Sequence, residues 1–261
     1  MTFRPNGGII LDRQTDRQTD RQIHIDIVVC YNNETLFSEF EKTIRERGGS
    51  GVCWKIIGVN NTENTFRSAA EAYNHALKKE VSGECIVFCH QDVLFLENSL
   101  RTIAEKCVMF PNVLWGAAGT RKAGKVISNM AVIQEGWKYG TLRADRDEKV
   151  QTLDECMIAA SRELFNNFHF DELTCDGWHL YAVDMSLQCL VSGNEVMVFD
   201  ANIVHLSGGN MDASFWRIEK KLAEKYRGEF SRINTTCTWT YTNPFLFYLL
   251  RLYRRVRYKI H

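Results

Sequence analysis

Residues 84–96 read ECIVFCHQDVLFL, an apolar run that carries the polar triplet His90, Gln91 and Asp92 in its middle. Short runs of β-branched and other apolar residues are typical of strands in the centre of a sheet. A carboxylate buried without a partner or a metal is energetically costly. We therefore expect the strand to end at the triplet, so that His90 and Asp92 lie at the mouth of the sheet, where ligands bind.

The flanking sequence alternates between strand and helix patterns. The apolar runs IDIVVCY (25–31) and VCWKIIGV (52–59) are each followed by a helical segment, and Leu36, Phe40 and Ile44 give the first one its spacing. Such alternation with short connections indicates right-handed βαβ units and a parallel sheet. The sequence predicts an α/β fold with a mostly parallel central sheet flanked by helices, plus a C-terminal helical extension.

Three parts are expected along the chain. Residues 1–24 contain the repeat LDRQTDRQTDRQ, whose lack of apolar periodicity predicts a disordered leader. Residues 25–212 should form the α/β domain. Residues 213–261 should form C-terminal helices, starting with an amphipathic one.

The composition is that of a globular protein without a dominant charge. The 261 residues include 32 basic and 32 acidic side chains, so no overall field points to nucleic acid as a partner. The nine cysteines lack the paired spacing of a zinc site, and no signal peptide is recognisable, which favours a reducing cytoplasm. No apolar run reaches the roughly 20 residues of a membrane span.

Polar side chains follow the three strands at the point where each one ends, and two more lie on the helix after the second strand. Because the carboxyl ends of parallel strands meet at one rim, we expect these groups to face one ligand, a nucleotide. Taken singly, an Asn pair after a strand is also typical of a simple turn. The candidate nucleotide-binding residues are Tyr31, Asn32, Asn60, Ser68, Asn74, Gln91 and Asp92.

The order of several short motifs resembles one known family. The motifs are IVVCYNNE, IIGVNN, SAAEAYNHAL, GECIVFCHQDV, FDE, GWHLYAVDMSLQC and VHLSGGN. Together they resemble a family-2-like glycosyltransferase with the GT-A fold, in the branch that has His-Gln-Asp in place of Asp-x-Asp. The resemblance covers roughly residues 25–210.

This resemblance implies a nucleotide-sugar donor, a UDP- or dTDP-sugar, and a divalent cation, Mn²⁺ or Mg²⁺, at its diphosphate. Asp92 matches the second acid of the family's metal motif, His90 stands at the first, and His205 matches a late histidine that returns to the metal. The alternative is a purely structural role, in which both histidines are hydrogen-bonded core or loop residues and Asp92 caps a helix. Inverting transfer to a saccharide or lipid-linked acceptor is implied.

In the family, the catalytic base is the Asp of a Glu-Asp pair. That pair falls on Tyr181 and Ala182 here, so the usual base is absent. Three candidates remain: Asp184, which could equally cap a helix, His179, which is a competent base near neutral pH, and Asp176 in a loop. Three further residues are expected near the sugar. By resemblance Asp154 lines the sugar or acceptor pocket. Trp178 and Tyr181 suit a sugar platform, although aromatic residues are nearly as often core.

The C-terminal segment NPFLFYLLRLYRRVRYKIH predicts an amphipathic helix. Phe245, Leu249, Leu252 and Val256 form an apolar stripe. Five cations and no acid accompany this stripe, which favours a helix lying on an anionic membrane surface, peripheral on its inner face. The alternative is a C-terminal helix docked on the domain with a solvated basic face. The cations are Arg251, Arg254, Arg255, Arg257 and Lys259.

Two other classes of function compete with glycosyl transfer. A catalytically silent nucleotide-sugar-binding module would explain Ala182 at the position of the base. A sugar nucleotidyltransferase shares the architecture, but normally has a Gly-rich basic loop after the first strand, and CYNNETLF (30–37) has none.

Overall fold

The computed structural model describes residues 22–47, 52–132, 146–208 and 211–258. The strands are β1 (Ile23–Tyr31), β2 (Val52–Asn60), β3 (Cys85–His90), β4 (Val93–Phe95), β5 (Val113–Gly116), β6 (Ala118–Thr120), β7 (Val126–Ser128), β8 (Ala131–Val132), β9 (Glu148–Lys149), β10 (Thr152–Leu153), β11 (Met157–Ser161), β12 (Glu195–Val198), β13 (Ile203–His205), β14 (Arg232–Asn234) and β15 (Trp239–Tyr241). The helices are α1 (Glu34–Arg47), α2 (Ala69–Lys79), α3 (Ser99–Met109), α4 (Arg162–Asn167), α5 (Tyr181–Val191), α6 (Ala213–Lys225) and α7 (Pro244–Tyr258).

The main sheet has the strand order β2-β1-β3-β11-β5-β12-β9. Strands β2, β1, β3, β5 and β12 run in one direction, whereas β11 and β9 run against them. The predicted α/β fold with a mostly parallel sheet is therefore confirmed. Most of the predicted leader lies outside the described residues, but β1 begins at Ile23, two residues before the expected start of the domain.

The central strands are apolar on both faces because helices and loops cover both sides of the sheet. In β1, Val28 belongs to one core cluster, while Ile27 and Val29 belong to the cluster on the other face. In β3, Phe88 and Val87 divide in the same way. This double burial explains why β1 and β3 are continuous apolar runs rather than alternating ones.

The strand register brings the polar strand ends together. Tyr31 at the end of β1 is paired with Asn60 of β2, and Cys30 is paired with His90 of β3. Beyond β3 the chain turns into β4, which pairs antiparallel with β13, so that His205 lies opposite Val93. The rim of the sheet therefore joins residues from both ends of the domain.

The C-terminal part is continuous with the main core and is not purely helical, since it includes the β14–β15 hairpin. Helix α6 contributes Phe215, Ile218 and Leu222 to the cluster that also holds Ile158 of β11. Its amphipathic spacing was correctly predicted. Among the described residues, no helix has the length and apolar character needed to cross a bilayer.

Helix α7 forms as predicted, but the face that it packs against the domain is not the apolar stripe identified in the sequence. Leu250 and Arg254 are buried at 8% exposure each. The sequence-derived apolar stripe points away, with Leu249 43% and Val256 78% exposed. Arg254 is therefore not one of the free surface cations expected from the sequence, because its guanidinium is paired with the buried carboxylate of Glu219.

Candidate functional site

Three side chains with metal-binding chemistry converge at the rim: His90 at the end of β3, Asp92 in the turn after it and His205 at the end of β13. Their ligand atoms all lie within 4.8 Å of one another. The Nε2 atom of His205 is 3.2 Å from Oδ1 of Asp92 and 3.4 Å from Nδ1 of His90. The hydroxyl of Ser207 donates to Oδ2 of Asp92.

The electrostatics of this cluster keep Asp92 ionised and His90 neutral, as a cation requires, whereas they favour the protonated form of His205, whose proton a cation would displace. Burial opposes ionisation of Asp92, but hydrogen bonds from His205 and Ser207 outweigh burial and hold its pKa well below the usual range. Burial and the neighbouring His205 lower the pKa of His90 to about 4, so its imidazole is neutral at pH 7. Burial lowers the pKa of His205, but the hydrogen bond and charge of Asp92 reverse this and raise it.

One carboxylate and two imidazoles are a donor set that suits Mn²⁺ and other divalent ions of borderline hardness. Nδ1 of His90, Oδ1 of Asp92 and Nε2 of His205 face one another, so two imidazole nitrogens meet at close range beside a carboxylate. Ser207 and Tyr181 bond to the remaining atoms, Oδ2 of Asp92 and Nε2 of His90. The cluster fits a divalent cation better than it fits a set of satisfied core residues.

Two cavities flank the cluster and share His90 and Trp178 in their walls. The rim cavity, of about 330 Å³, is lined among others by Tyr31, Asn32, Asn61, Gln91 and Asp92. The C-terminal cavity, of about 240 Å³, is lined among others by Asp154, Glu155, His179, Phe215 and Thr236. Trp178, 40% exposed, offers its ring at the boundary.

In the rim cavity, Gln91 positions the loop that follows β1. Its Oε1 atom accepts from the backbone N–H groups of Asn32 and Asn33, both at 3.1 Å, and its Nε2 atom donates to Oδ1 of Asn32 at 2.7 Å. The ring of Tyr31 stacks on Phe37 of α1, with the centroids 4.0 Å apart. Gln91 and Asn32 therefore contact each other, and Tyr31 has a fixed ring that lines the cavity.

Three of the predicted nucleotide-binding residues bond to other parts of the protein and line neither cavity. The Asn60 side chain accepts from Thr62 within its own turn, and Ser68 caps α2. Asn74 is buried and its carboxamide exchanges hydrogen bonds with the backbone of Phe170. The residue that lines the rim cavity at the end of β2 is Asn61, the next in sequence after Asn60.

His179 and Asp154 are both placed in the C-terminal cavity. Nε2 of His179 is 3.4 Å from Oδ1 of Asp212, the residue that caps α6. Asp154 accepts from the backbone N–H of Cys156 and from the hydroxyl of Thr236 at 2.5 Å. Of the predicted catalytic residues, His179 is the one that the structure brings to a cavity wall.

Asp184 lies in a closed network away from both cavity walls, at 1% exposure. Its Oδ1 accepts from Lys225 and from the hydroxyl of Tyr226, and its Oδ2 accepts from Gln188, each at 2.7 Å. Burial raises the pKa of Asp184, although Lys225 partly offsets this. Asp176 is 38% exposed and forms ion pairs with Arg217 and Lys221 of α6. The structure gives neither carboxylate a place beside the cluster.

Three residues of the site have contacts that the sequence did not predict. Tyr181, expected as a sugar platform, is the first residue of α5 and places its hydroxyl 3.1 Å from Nε2 of His90 and 3.0 Å from the backbone oxygen of Glu155. The Oε1 atom of Glu155 is buried without a hydrogen-bond partner among the described residues, and burial raises its pKa. Tyr181 and Ser207 lie inside the motifs GWHLYAVDMSLQC and VHLSGGN, whereas Glu155 lies in none of the motifs that carry the resemblance.

No protein-family model matches the chain. A protein of Fuscovulum blasticum described as "ATP synthase subunits region ORF 6" is 25% identical over 187 residues, which cover 67% of this chain and 72% of that protein.

Solved structures of similar shape are glycosyltransferases. GalNAc-T7 with UDP, GalNAc and Mn²⁺ superposes with a TM-score of 0.58 and 8% identity over 77% of this chain and 48% of that one. TarS of S. aureus in complex with UDP-GlcNAc superposes with a TM-score of 0.54 and 13% identity, over 79% of this chain and 67% of that one. The mannosyltransferase PcManGT of Pyrobaculum calidifontis, with GDP-Man and Mn²⁺, superposes with a TM-score of 0.50 and 14% identity, over 79% of this chain and 64% of that one.

The chain spans about half the length of GalNAc-T7 and about two thirds of the other two. At these identities the similarity establishes the fold. The protein has the GT-A fold, as predicted.

Proposed function

We propose that this protein is a glycosyltransferase that moves a sugar from a nucleotide-sugar donor, a UDP- or dTDP-sugar, to a saccharide or lipid-linked acceptor with inversion at the anomeric carbon, in cell-surface polysaccharide synthesis. The observation that carries the proposal is the cluster of His90, Asp92 and His205 at the rim of a GT-A sheet, where two cavities meet at Trp178. The similar structures with UDP, UDP-GlcNAc and GDP-Man support it as neighbours in fold.

The donor nucleotide belongs in the rim cavity, beside Tyr31, Asn32 and Asn61. His90, Asp92 and His205 would hold Mn²⁺ or Mg²⁺ there, which when bound neutralises charge on the leaving diphosphate. The ring of Trp178 provides an apolar face on which a pyranose can stack. Since Trp178 borders both cavities, a sugar on its ring would face the acceptor in the C-terminal cavity.

His179 is the proposed catalytic base for the acceptor hydroxyl. In the tautomer whose Nε2–H points to Asp212, Nδ1 keeps the lone pair that would take the proton, and the Asp212 carboxylate would stabilise the resulting imidazolium. Asp154 lines the same cavity and would bind sugar hydroxyls there. A base on the acceptor side and a leaving group on the nucleotide side match a single displacement with inversion.

The test is the release of nucleoside diphosphate from a panel of sugar nucleotides, with and without Mn²⁺. We expect metal-dependent release for one donor, its loss in Asp92→Asn, and a 10²–10⁴-fold lower rate with unchanged nucleotide affinity in His179→Gln. Asp176→Asn, which alters an exposed ion pair, is the matched control. Nucleotide-sugar binding without release would favour the silent module suggested by Ala182, and pyrophosphate formation from a nucleoside triphosphate would favour a nucleotidyltransferase.

We further propose that α7 attaches the enzyme to the inner face of an anionic membrane, in the cytoplasm. Seven large apolar side chains of α7 are exposed: Phe245, Leu246, Tyr248, Leu249, Leu252, Tyr253 and Val256. The helix contains no acidic residue, and Arg251, Arg255 and Arg257 are exposed on it. Each cation near an anionic surface contributes about 1 kcal/mol, and the apolar side chains add burial in the lipid boundary.

Cosedimentation with vesicles containing phosphatidylserine tests this attachment. Replacing Arg251, Arg255 and Arg257 with Gln should release the protein, whereas the same change at Arg45, Arg101 and Arg227, exposed elsewhere, should not. Arg254 is left unchanged because it is buried in an ion pair. Absence of vesicle binding at low salt in the unmodified protein would rule out the membrane role and leave glycosyl transfer untouched.

A further inference from the structure

Tyr181 occupies a buried position directly behind the cluster of His90, Asp92 and His205. It is the first residue of α5, is 2% exposed, and follows Leu180, whose backbone is left-handed with φ 62°. Its hydroxyl lies 3.1 Å from Nε2 of His90 and 3.0 Å from the backbone oxygen of Glu155, and it also hydrogen-bonds with the buried hydroxyl of Tyr73. The remaining nitrogen of His90, Nδ1, is the one that faces His205 and Asp92.

Counting hydrogens at these contacts assigns the protonation of His90. The backbone oxygen of Glu155 can only accept, so the single hydroxyl hydrogen of Tyr181 is donated to it. The Tyr181 oxygen is then an acceptor toward both Tyr73 and His90, and its contact with His90 is a hydrogen bond only if Nε2 of His90 carries its hydrogen. A neutral imidazole has one N–H, so Nδ1 is left with a lone pair directed at the cluster.

We infer that Tyr181 is a positioning residue that fixes the tautomer of His90 so that Nδ1 is available to a divalent cation shared with Asp92 and His205. This inference rests on the metal site of the proposed function. Without the hydroxyl, Nδ1–H can instead point at Oδ1 of Asp92, 4.0 Å away, and that hydrogen occupies the direction a cation needs. Hydrogen-bond partners behind a ligating histidine commonly control metal affinity in this way.

The first arm of the experiment measures Mn²⁺ affinity of the full chain by calorimetry. Tyr181→Phe keeps the ring and removes the hydroxyl, and we expect it to weaken Mn²⁺ binding about 10–100-fold. Tyr226→Phe is the matched control, since it removes another buried hydroxyl that bonds to Asp184 instead of to the cluster. In a His90→Ala background, adding Tyr181→Phe should change the affinity no further. Equal affinity in Tyr181→Phe and the parent, or an additive loss in the His90→Ala background, would overturn the inference.

The second arm needs no metal. Nitrogen-15 NMR of the imidazoles in the unmodified, metal-free protein should show the Nε2–H tautomer for His90, and Tyr181→Phe should shift the signals toward Nδ1–H. A parent in which His90 carries its hydrogen on Nδ1 contradicts the inference even if Mn²⁺ binds. If the parent binds no Mn²⁺, the metal part of the proposed function fails, and the tautomer signals still decide the role of Tyr181.

Discussion

Two polar clusters of the molecule each contain a carboxylate with partners at both oxygens, and they differ in their access to a cavity. Asp184 receives hydrogen bonds from Lys225, Tyr226 and Gln188 and lines neither of the two cavities. Asp92 is partnered by His205 and Ser207, but it lines the rim cavity together with His90. We refer to these as the closed cluster and the open cluster.

The difference shows how to separate structural from functional carboxylates in this fold. A buried charge whose partners come from the protein alone holds the structure together, and removing one partner is costly because the other stays buried. A group of metal-type donors that lines a cavity can exchange its internal hydrogen bonds for bonds to a ligand. The motif containing Asp184 suggested catalysis, yet its packing assigns it to the first kind.

The largest effect is expected in the closed cluster. Asp184→Ala removes the shared acceptor of Lys225 and Tyr226, while Lys225 keeps its ion pair with Asp171, and should lower the free energy of unfolding by about 3 kcal/mol. Asp176→Ala, which breaks exposed ion pairs, should cost less than about 1 kcal/mol. Urea denaturation measures both. An Asp184→Ala variant of normal stability that has lost activity would instead make Asp184 part of the chemistry.

Binding of Mn²⁺ to the open cluster should stabilise the folded protein, whereas the closed cluster should not contribute to this effect. Mn²⁺ at 100 times its dissociation constant should raise the free energy of unfolding by about 2.7 kcal/mol, because it binds the folded state alone. Differential scanning calorimetry of the parent and of Asp92→Asn measures this. The same stabilisation in Asp92→Asn would mean that Mn²⁺ binds somewhere else.

A smaller loss of stability is expected when the buried ion pair between α7 and α6 is broken. Arg254 donates two hydrogen bonds to Glu219, at 2.9 and 3.0 Å. Burial raises the pKa of Glu219, so this carboxyl can take up a proton when its partner is lost. Arg254→Gln should therefore cost only about 2 kcal/mol, against less than about 0.5 kcal/mol for the exposed Arg255→Gln. Equal thermal shifts in the two variants would contradict the assignment of Arg254 as the docking residue.

Much of the fold was predictable because the relevant signals are local. The apolar runs of β1, β2 and β3, and the helical spacing of α1 and α6, reflect double burial and amphipathic packing that short windows of sequence record. Polar residues after three strands indicated a site at one rim. Asn60 and Asn61 mark the limit of this reasoning, because neighbouring residues at a strand end point in different directions and the sequence does not say which one lines the cavity.

The face that α7 buries could not be read from its pattern. Phe245, Leu249, Leu252 and Val256 make a regular stripe, but the groove between α6 and β15 accepts Leu250 and Arg254 instead. A buried arginine is favourable there because Glu219, 35 residues away in the chain, supplies its counter-charge. Periodicity identifies a helix, whereas its docked side depends on partners that are distant in sequence.

By itself the sequence determined the α/β architecture, the strand ends at His90 and Asp92, and the presence of a C-terminal helix, since each of these is set by hydrophobic pattern within a few turns or strands. Only the tertiary structure decided that Asp184 is held by Lys225, that His179 meets Asp212, and that Tyr181 stands behind His90. Those assignments depend on side-chain contacts between segments up to 91 residues apart, and burial together with the pairing of charges decides them.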